Sequence, residues 1–299
     1  MNYFNLNSRS FFLAMLIVFI FCPQIGKAIN PYAPDTLQPI KLSGLKLVFN
    51  DEFNRDGELN SEIWSFETGF KRNEELQWYQ SKNACCKNGC LVIEGKKETF
   101  PNPNYSPDSK SWKKNRKEVN YTSASVNTAE KRSWLFGRFE VRARIDTAMG
   151  AWPAIWTLGN NNEWPSCGEI DMLEFYRPET VPSILANVAS GTSTRYKPKW
   201  NSSKKTVSSL MKIDKEWPHK FHIWRMDWNR DSINLFIDNI LLNTTLLTQT
   251  INPDGTNPFL QPQYLLLNLA LGANGGDPSQ SHFPITFEVD YVRIYQKIE

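Results

Sequence analysis

The sequence predicts an all-β sandwich or barrel, on three observations. Short apolar and aromatic runs alternate with charged residues at period two. Gly, Pro, Asn and Asp turn signals separate the runs, and no long amphipathic helix with caps interrupts them. In order along the chain, residues 139–145 (Phe-Glu-Val-Arg-Ala-Arg-Ile) alternate as a half-buried strand should. The next strand is expected over 221–228, followed by turn residues Asn229-Arg-Asp-Ser232 and a return over 233–237. Asp238-Asn239 then marks a tight turn before 240–242, and 264–271 and 287–295 add two strongly apolar strands.

The amino-terminal segment reads as a targeting signal. Arg9 precedes an apolar run over 11–21, and Gly26-Lys27-Ala28 offers small residues for cleavage. The run is too short for a bilayer, which needs ~20 apolar residues. A signal peptide over 1–28 is expected, leaving a secreted or periplasmic chain with no transmembrane segment. Cys22 offers the alternative of lipid attachment, although Phe-Ile-Phe before it matches a lipoprotein signal poorly. No repeat or low-complexity linker divides 29–299, so one domain is expected, as a monomer.

Charge excludes some partners. The net charge is +3, from 34 basic and 31 acidic residues, with no concentrated basic face to bind nucleic acid. The run 110–117, with Lys113, Lys114 and Arg116, sits among Pro, Asn and Ser and is expected to be a solvated loop. Cys85, Cys86, Cys90 and Cys167 follow the signal. Export permits disulfides, and the Cys-Cys-x-x-x-Cys spacing lacks the paired ligands of a zinc ribbon. On a strand Cys85 and Cys86 point to opposite faces, so only one of them can easily pair with Cys90.

Chemistry concentrates in Gly168-Glu-Ile-Asp-Met-Leu-Glu-Phe175. On a strand Glu169 and Asp171 share a face, whereas Glu174 falls on the Ile170 face, where burial of an unpaired carboxyl is costly. One extra residue at Met172-Leu173 restores Glu174 to the face of the other two, and β-bulges of this kind are common beside active sites. Three acids on one face must titrate together, with at least one pKa raised. Glycoside hydrolysis uses such a set, one carboxylate ionised and one carboxyl protonated. A solvated acidic face or a calcium site are the competing readings. Trp152, Trp156 and Trp164 lie close in sequence to the acids and offer platforms for pyranose rings.

At these residues the sequence resembles glycoside hydrolase family 16 in its bulged, laminarinase-like form. Matching pieces in order are Asp51-Glu-Phe53, Glu75-Leu-Gln-Trp-Tyr79, Tyr121-Thr-Ser123, Phe136 through Arg144, Trp152-Pro-Ala-Ile-Trp156, Phe221-His222, Leu267 through Gly272 and Val289 through Tyr295. The resemblance implies a concanavalin-like β-sandwich (jelly roll) with the substrate cleft on the concave sheet. It implies Glu169 as nucleophile, Glu174 as general acid/base and Asp171 as their partner. It further implies that Trp152, Trp156 and Trp164 line the cleft, with Asn73 and Glu75 near the glycone. His222 could reach sugar, although a histidine satisfied inside the sheet is the commoner case. No cofactor is expected for catalysis, while some members carry a structural calcium near the position of Asp290. Glu74 stands where the family often has Asn, and the cysteine cluster is not a family feature.

The expected activity is retaining endo-hydrolysis of β-1,3- or mixed-linkage β-1,3/1,4-glucan. The alternatives are an endo-β-galactanase acting on agar-like, porphyran-like or mucin-type chains, and a noncatalytic glycan-binding protein. The loop over 98–120 is expected to help set the choice.

Overall fold

A computed structural model describes residues 29–298. The expected signal peptide and Cys22 lie outside the described residues. The strands are β1 (Leu45–Asp51), β2 (Ser65–Phe66), β3 (Gln77–Tyr79), β4 (Ala84–Lys87), β5 (Cys90–Pro101), β6 (Glu118–Ser123), β7 (Ser125–Asn127) and β8 (Gly137–Ile145). They continue with β9 (Ala151–Gly159), β10 (Glu169–Tyr176), β11 (Ser183–Gly191), β12 (Pro198–Thr206), β13 (His222–Trp228), β14 (Ser232–Ile237), β15 (Ile240–Leu246), β16 (Gln263–Leu271) and β17 (Ile285–Lys297).

These form two packed sheets, the jelly-roll sandwich that the family resemblance implies. One has ten strands along the path β15-β14-β13-β8-β17-β5-β6-β3, with β1 and β4 as side branches. The other has seven, in the order β12-β11-β10-β9-β16-β7-β2. Between them lies one large apolar core, with Val141, Trp224, Leu235 and Val292 from the first sheet meeting Ile155, Ile170, Phe175, Ile184 and Leu267 from the second. Each such side chain stabilises the fold by roughly 1.5–3 kcal/mol through removal from water. Every strand expected from the sequence is present, with ends displaced by a few residues.

Period two also decides the fate of His222. Strand β13 buries alternate residues, and His222 shares its inward face with Trp224, Met226 and Trp228. Its ring stacks on Trp217 at 4.5 Å, Nδ1 lies 2.8 Å from Asp238 and Nε2 2.9 Å from the Trp217 carbonyl. The histidine belongs to the ten-stranded sheet, away from the cleft on the other sheet, which corrects its expected contact with sugar.

Among the described residues, Cys85, Cys86, Cys90 and Cys167 are free thiols. In the β4–β5 hairpin, Lys87 pairs with Cys90 and Cys86 with Leu91. Cys86 therefore enters the core while Cys85 is exposed, on opposite faces as expected. Cys90 shares the parity of Lys87 and Cys85, so Cys86 and Cys90 face away from each other.

The basic run over 110–117 also departs from a purely solvated loop. It contains the short helix α1 (Trp112–Asn115). Half-buried Arg116 donates to the carbonyls of Glu74 (2.7 Å) and Glu75, and stacks over Phe70 (4.9 Å) and Trp112 (4.7 Å). Buried Asn102 closes the loop by donating to the Lys113 and Arg116 carbonyls.

Candidate active site

The acid strand β10 lies between β9 and β11 in the seven-stranded sheet. Asp171 pairs with Asn187, but Glu174 pairs with Leu185, so three steps on β10 answer two on β11. The same extra residue appears against β9, where Asp171 faces Trp156 and Leu173 faces Ile155. This is the β-bulge expected at Met172-Leu173. Both bulged residues enter the core with Ile170 and Phe175. Glu169, Asp171 and Glu174 thereby all line one cavity of about 730 Å³ on the outer face of the sheet.

Each acid has its own donors. The Trp164 indole N–H donates to Glu169 at 2.5 Å, and the Trp152 indole to Glu174 at 3.1 Å. Asn187 uses its amide twice, to Asp171 Oδ2 (3.1 Å) and Glu174 Oε2 (2.9 Å). Burial is the main force on all three pKa values, because a low-dielectric site disfavours the charged form. It pushes Glu174 up to about 7, reinforced by the charge of Glu169. Asp171 is raised well above the carboxylate range by burial and by both neighbouring glutamates. Burial also raises Glu169, but the hydrogen bonds from Trp164 and Asp171 and the Arg72 charge work in the opposite direction. All three pKa values are raised and the groups are coupled, so the set retains protons that isolated, solvated carboxyls would lose.

Of the remaining residues expected at the site, Trp152, Trp156, Trp164, Asn73 and Glu75 line the cavity. The indoles act differently from simple platforms. Trp152 and Trp164 aim their N–H groups at the acids. Trp156 donates to Asn268 (2.7 Å), which donates to the Tyr79 hydroxyl (3.1 Å). Glu75 is buried and accepts from Gln77 at 2.7 Å, and burial lifts its pKa to about 6. The sequence reading missed Asn187, Glu67, Arg72 and Trp200, all of which line the cavity. Asn187 and Trp200 sit on β11 and β12, where a strand reading of 183–191 and 198–206 would have found them. Arg72 adjoins Asn73 but carries no local signal.

The family model for glycosyl hydrolases family 16 matches residues 72–293. The chain belongs to glycosyl hydrolase family 16. A β-glucanase of Rhodothermus marinus is 30% identical, with 95% of this chain and 94% of that protein covered. The laminarinase catalytic domain of Thermotoga maritima superposes with a TM-score of 0.69 at 28% identity, over 85% of this chain and 99% of that one. A structure from work on endo-acting O-glycanases with which human gut bacteria initiate mucin breakdown gives a TM-score of 0.77 at 36% identity, over 87% and 94%.

As a family 16 enzyme, the protein is an endo-acting glycosyl hydrolase that needs no cofactor for catalysis. The calcium expected near Asp290 does not fit the residues there. The Asp290 carboxylate already accepts from Arg142 at 2.5 Å and from the Asp35 backbone N–H at 3.0 Å. Arg142 in turn donates to the carbonyls of Asn30 and Ala33. A fixed guanidinium thus supplies the positive charge, and among the described residues no three acidic, His or Cys side chains converge on a metal position.

Proposed function

We propose that the protein is a retaining endo-β-glucanase that cleaves internal bonds of β-1,3- or mixed-linkage β-1,3/1,4-glucan. The observation that carries the mechanism is the unequal treatment of the two glutamates. Burial raises both, but at Glu169 the Trp164 donor and the Arg72 charge oppose the rise, whereas at Glu174 the Glu169 charge adds to it and carries it up to about 7. Glu174 donates its proton to the glycosidic oxygen as the bond to C1 breaks, and Glu169 attacks C1 to form a glycosyl ester. Glu174, now a carboxylate, removes a proton from water, which displaces Glu169 with a second inversion. Asp171 holds its own proton against Glu169 and positions it. Trp152, Trp164 and Asn187 orient the acids, and Asn73 and Glu75 flank the glycone. The β-glucanase and laminarinase relatives support the substrate class. The apolar run over 11–21 supports export, with attachment at Cys22 as the variant.

A second reading keeps the mechanism and changes the sugar. The 36% identical structure from work on O-glycanases favours galactose-containing mucin chains. Incubation with laminarin, lichenan, agarose, porphyran and mucin glycans separates the two readings by the oligosaccharides released. The Glu169→Ala variant must lose turnover while keeping affinity for glycan. Unaltered turnover in that variant would refute the assignment, and NMR of the first product anomer checks retention.

A further inference from the structure

Arg72 makes no hydrogen bond to the three acids and acts on Glu169 only through its charge, yet it lines the cleft. The residues after it, Asn73 and Glu74, both take left-handed backbone conformations (φ 53° and 51°), and Arg72 and Glu75 both line the cavity. Its guanidinium lies 5.1 Å above the Trp156 ring and 6.0 Å from the Tyr79 ring. Trp156 is paired across the sheet with Asp171, so Arg72 sits one strand away from the acids. One face of the Trp156 indole, a platform for a pyranose ring, is therefore covered by a cation.

That cation is itself neutralised. Both terminal nitrogens of Arg72 donate to Oε2 of Glu67, one at 3.0 Å, and Ser125 Oγ donates to the same oxygen at 2.6 Å. The Nε–H of Arg72 and Oε1 of Glu67 have no hydrogen-bond partner among the described residues, and neither is a buried orphan. One donor and one acceptor of the ion pair thus remain unused. Sugar hydroxyls, which both donate and accept, match such a pair. A sulfate or carboxylate does not, because it would meet Glu67, Glu75 and Glu169 with the arginine charge already used.

We propose that Arg72 and Glu67 form a specificity-determining pair that binds hydroxyls of an uncharged sugar unit beside the acids, in place of stacking on Trp156. This rests on the glycan-hydrolase reading and names the class of substrate as neutral at that position. Arg72 is a fork whose planarity matters, so lysine is a poor substitute.

The test uses the neutral polymer that the wild-type protein cleaves and a chemically sulfated preparation of it. Arg72→Met is expected to raise KM roughly 10- to 100-fold, the range for losing hydrogen bonds to a charged group, with kcat within about threefold. Arg72→Lys should recover little of that loss. Glu67→Gln leaves the Arg72 charge uncompensated and should narrow the preference for the neutral polymer by about tenfold or more. Melting curves of each variant establish that it is folded. An unchanged KM in folded Arg72→Met, or an unchanged neutral-to-sulfated ratio in Glu67→Gln, overturns the proposal. Cleavage of sulfated but of no neutral glycan by the wild-type protein overturns the pair's role alone, whereas no product from any glycan, neutral or charged, overturns the hydrolase reading on which it rests.

Discussion

Replacing Glu174 by glutamine separates the folding consequences of the buried carboxyl from its catalytic ones. The pKa of Glu174 rises from an ordinary 4.5 to about 7, with burial the main cause and Glu169 the second. The folded chain therefore binds this proton more tightly than the unfolded chain. Its contribution to stability is full below 4.5 and is lost as pH rises through 7. At 1.36 kcal/mol per pKa unit the loss is about 3 kcal/mol, an upper figure because the three acids share their protons. For a domain of this size, with about 2 cal/mol/K of unfolding entropy per residue, that is about 5 °C in Tm. Glutamine cannot ionise, so the Glu174→Gln variant should gain about 5 °C on the wild-type protein between pH 4.5 and pH 8. Glutamine also turns one acceptor into a donor facing Asn187, which adds an offset. That offset does not vary with pH, so the slope of the difference carries the result. Calorimetric or fluorescence melting at half-unit pH steps measures it. A difference between the two proteins that stays constant from pH 4.5 to 8 would refute the account of the site.

Three further outcomes follow from single contacts. Trp164→Phe removes the donor that favours the Glu169 anion, so the acid limb of the kcat/KM profile should move to higher pH, with activity down about tenfold. Asn187→Ala removes a donor from both Asp171 and Glu174. Its basic limb should shift upward and kcat should fall 10- to 100-fold, measured on the same polymer. His222→Phe should leave KM for glycan unchanged while lowering stability by about 1–3 kcal/mol in denaturant titration, because the Asp238 and Trp217 partners lose their contacts.

Much of the site was legible in the chain because strand geometry is so regular. Period two places Glu169 and Asp171 together, and the cost of burying Glu174 alone forces a bulge at Met172-Leu173. Both steps need only local sequence. The alternation over 139–145 and the turn signals near Asn229 and Asp238 likewise predict β8 and the β13–β14–β15 meander, where local pattern and tertiary pairing agree. Alternation also contained the answer for His222, since it shares parity with Trp224 and Met226. Which sheet that face belongs to is a matter of strand order.

The rest depended on contacts between residues far apart in sequence. Asn187 reaches the acids only because β11 pairs with β10, and Arg72 meets Trp156 only because separate segments converge on one face. Asp290 finds a guanidinium from β8 rather than a metal, and Arg116 folds back onto Glu74 and Glu75. The sequence by itself determined an all-β sandwich or barrel, the acid triad and its bulge, because backbone periodicity and the cost of burying charge act over a few residues. Only the tertiary structure decided which donors hold each acid, which indole faces remain free and which charges cancel. Those depend on the distances between chain segments that no local pattern encodes.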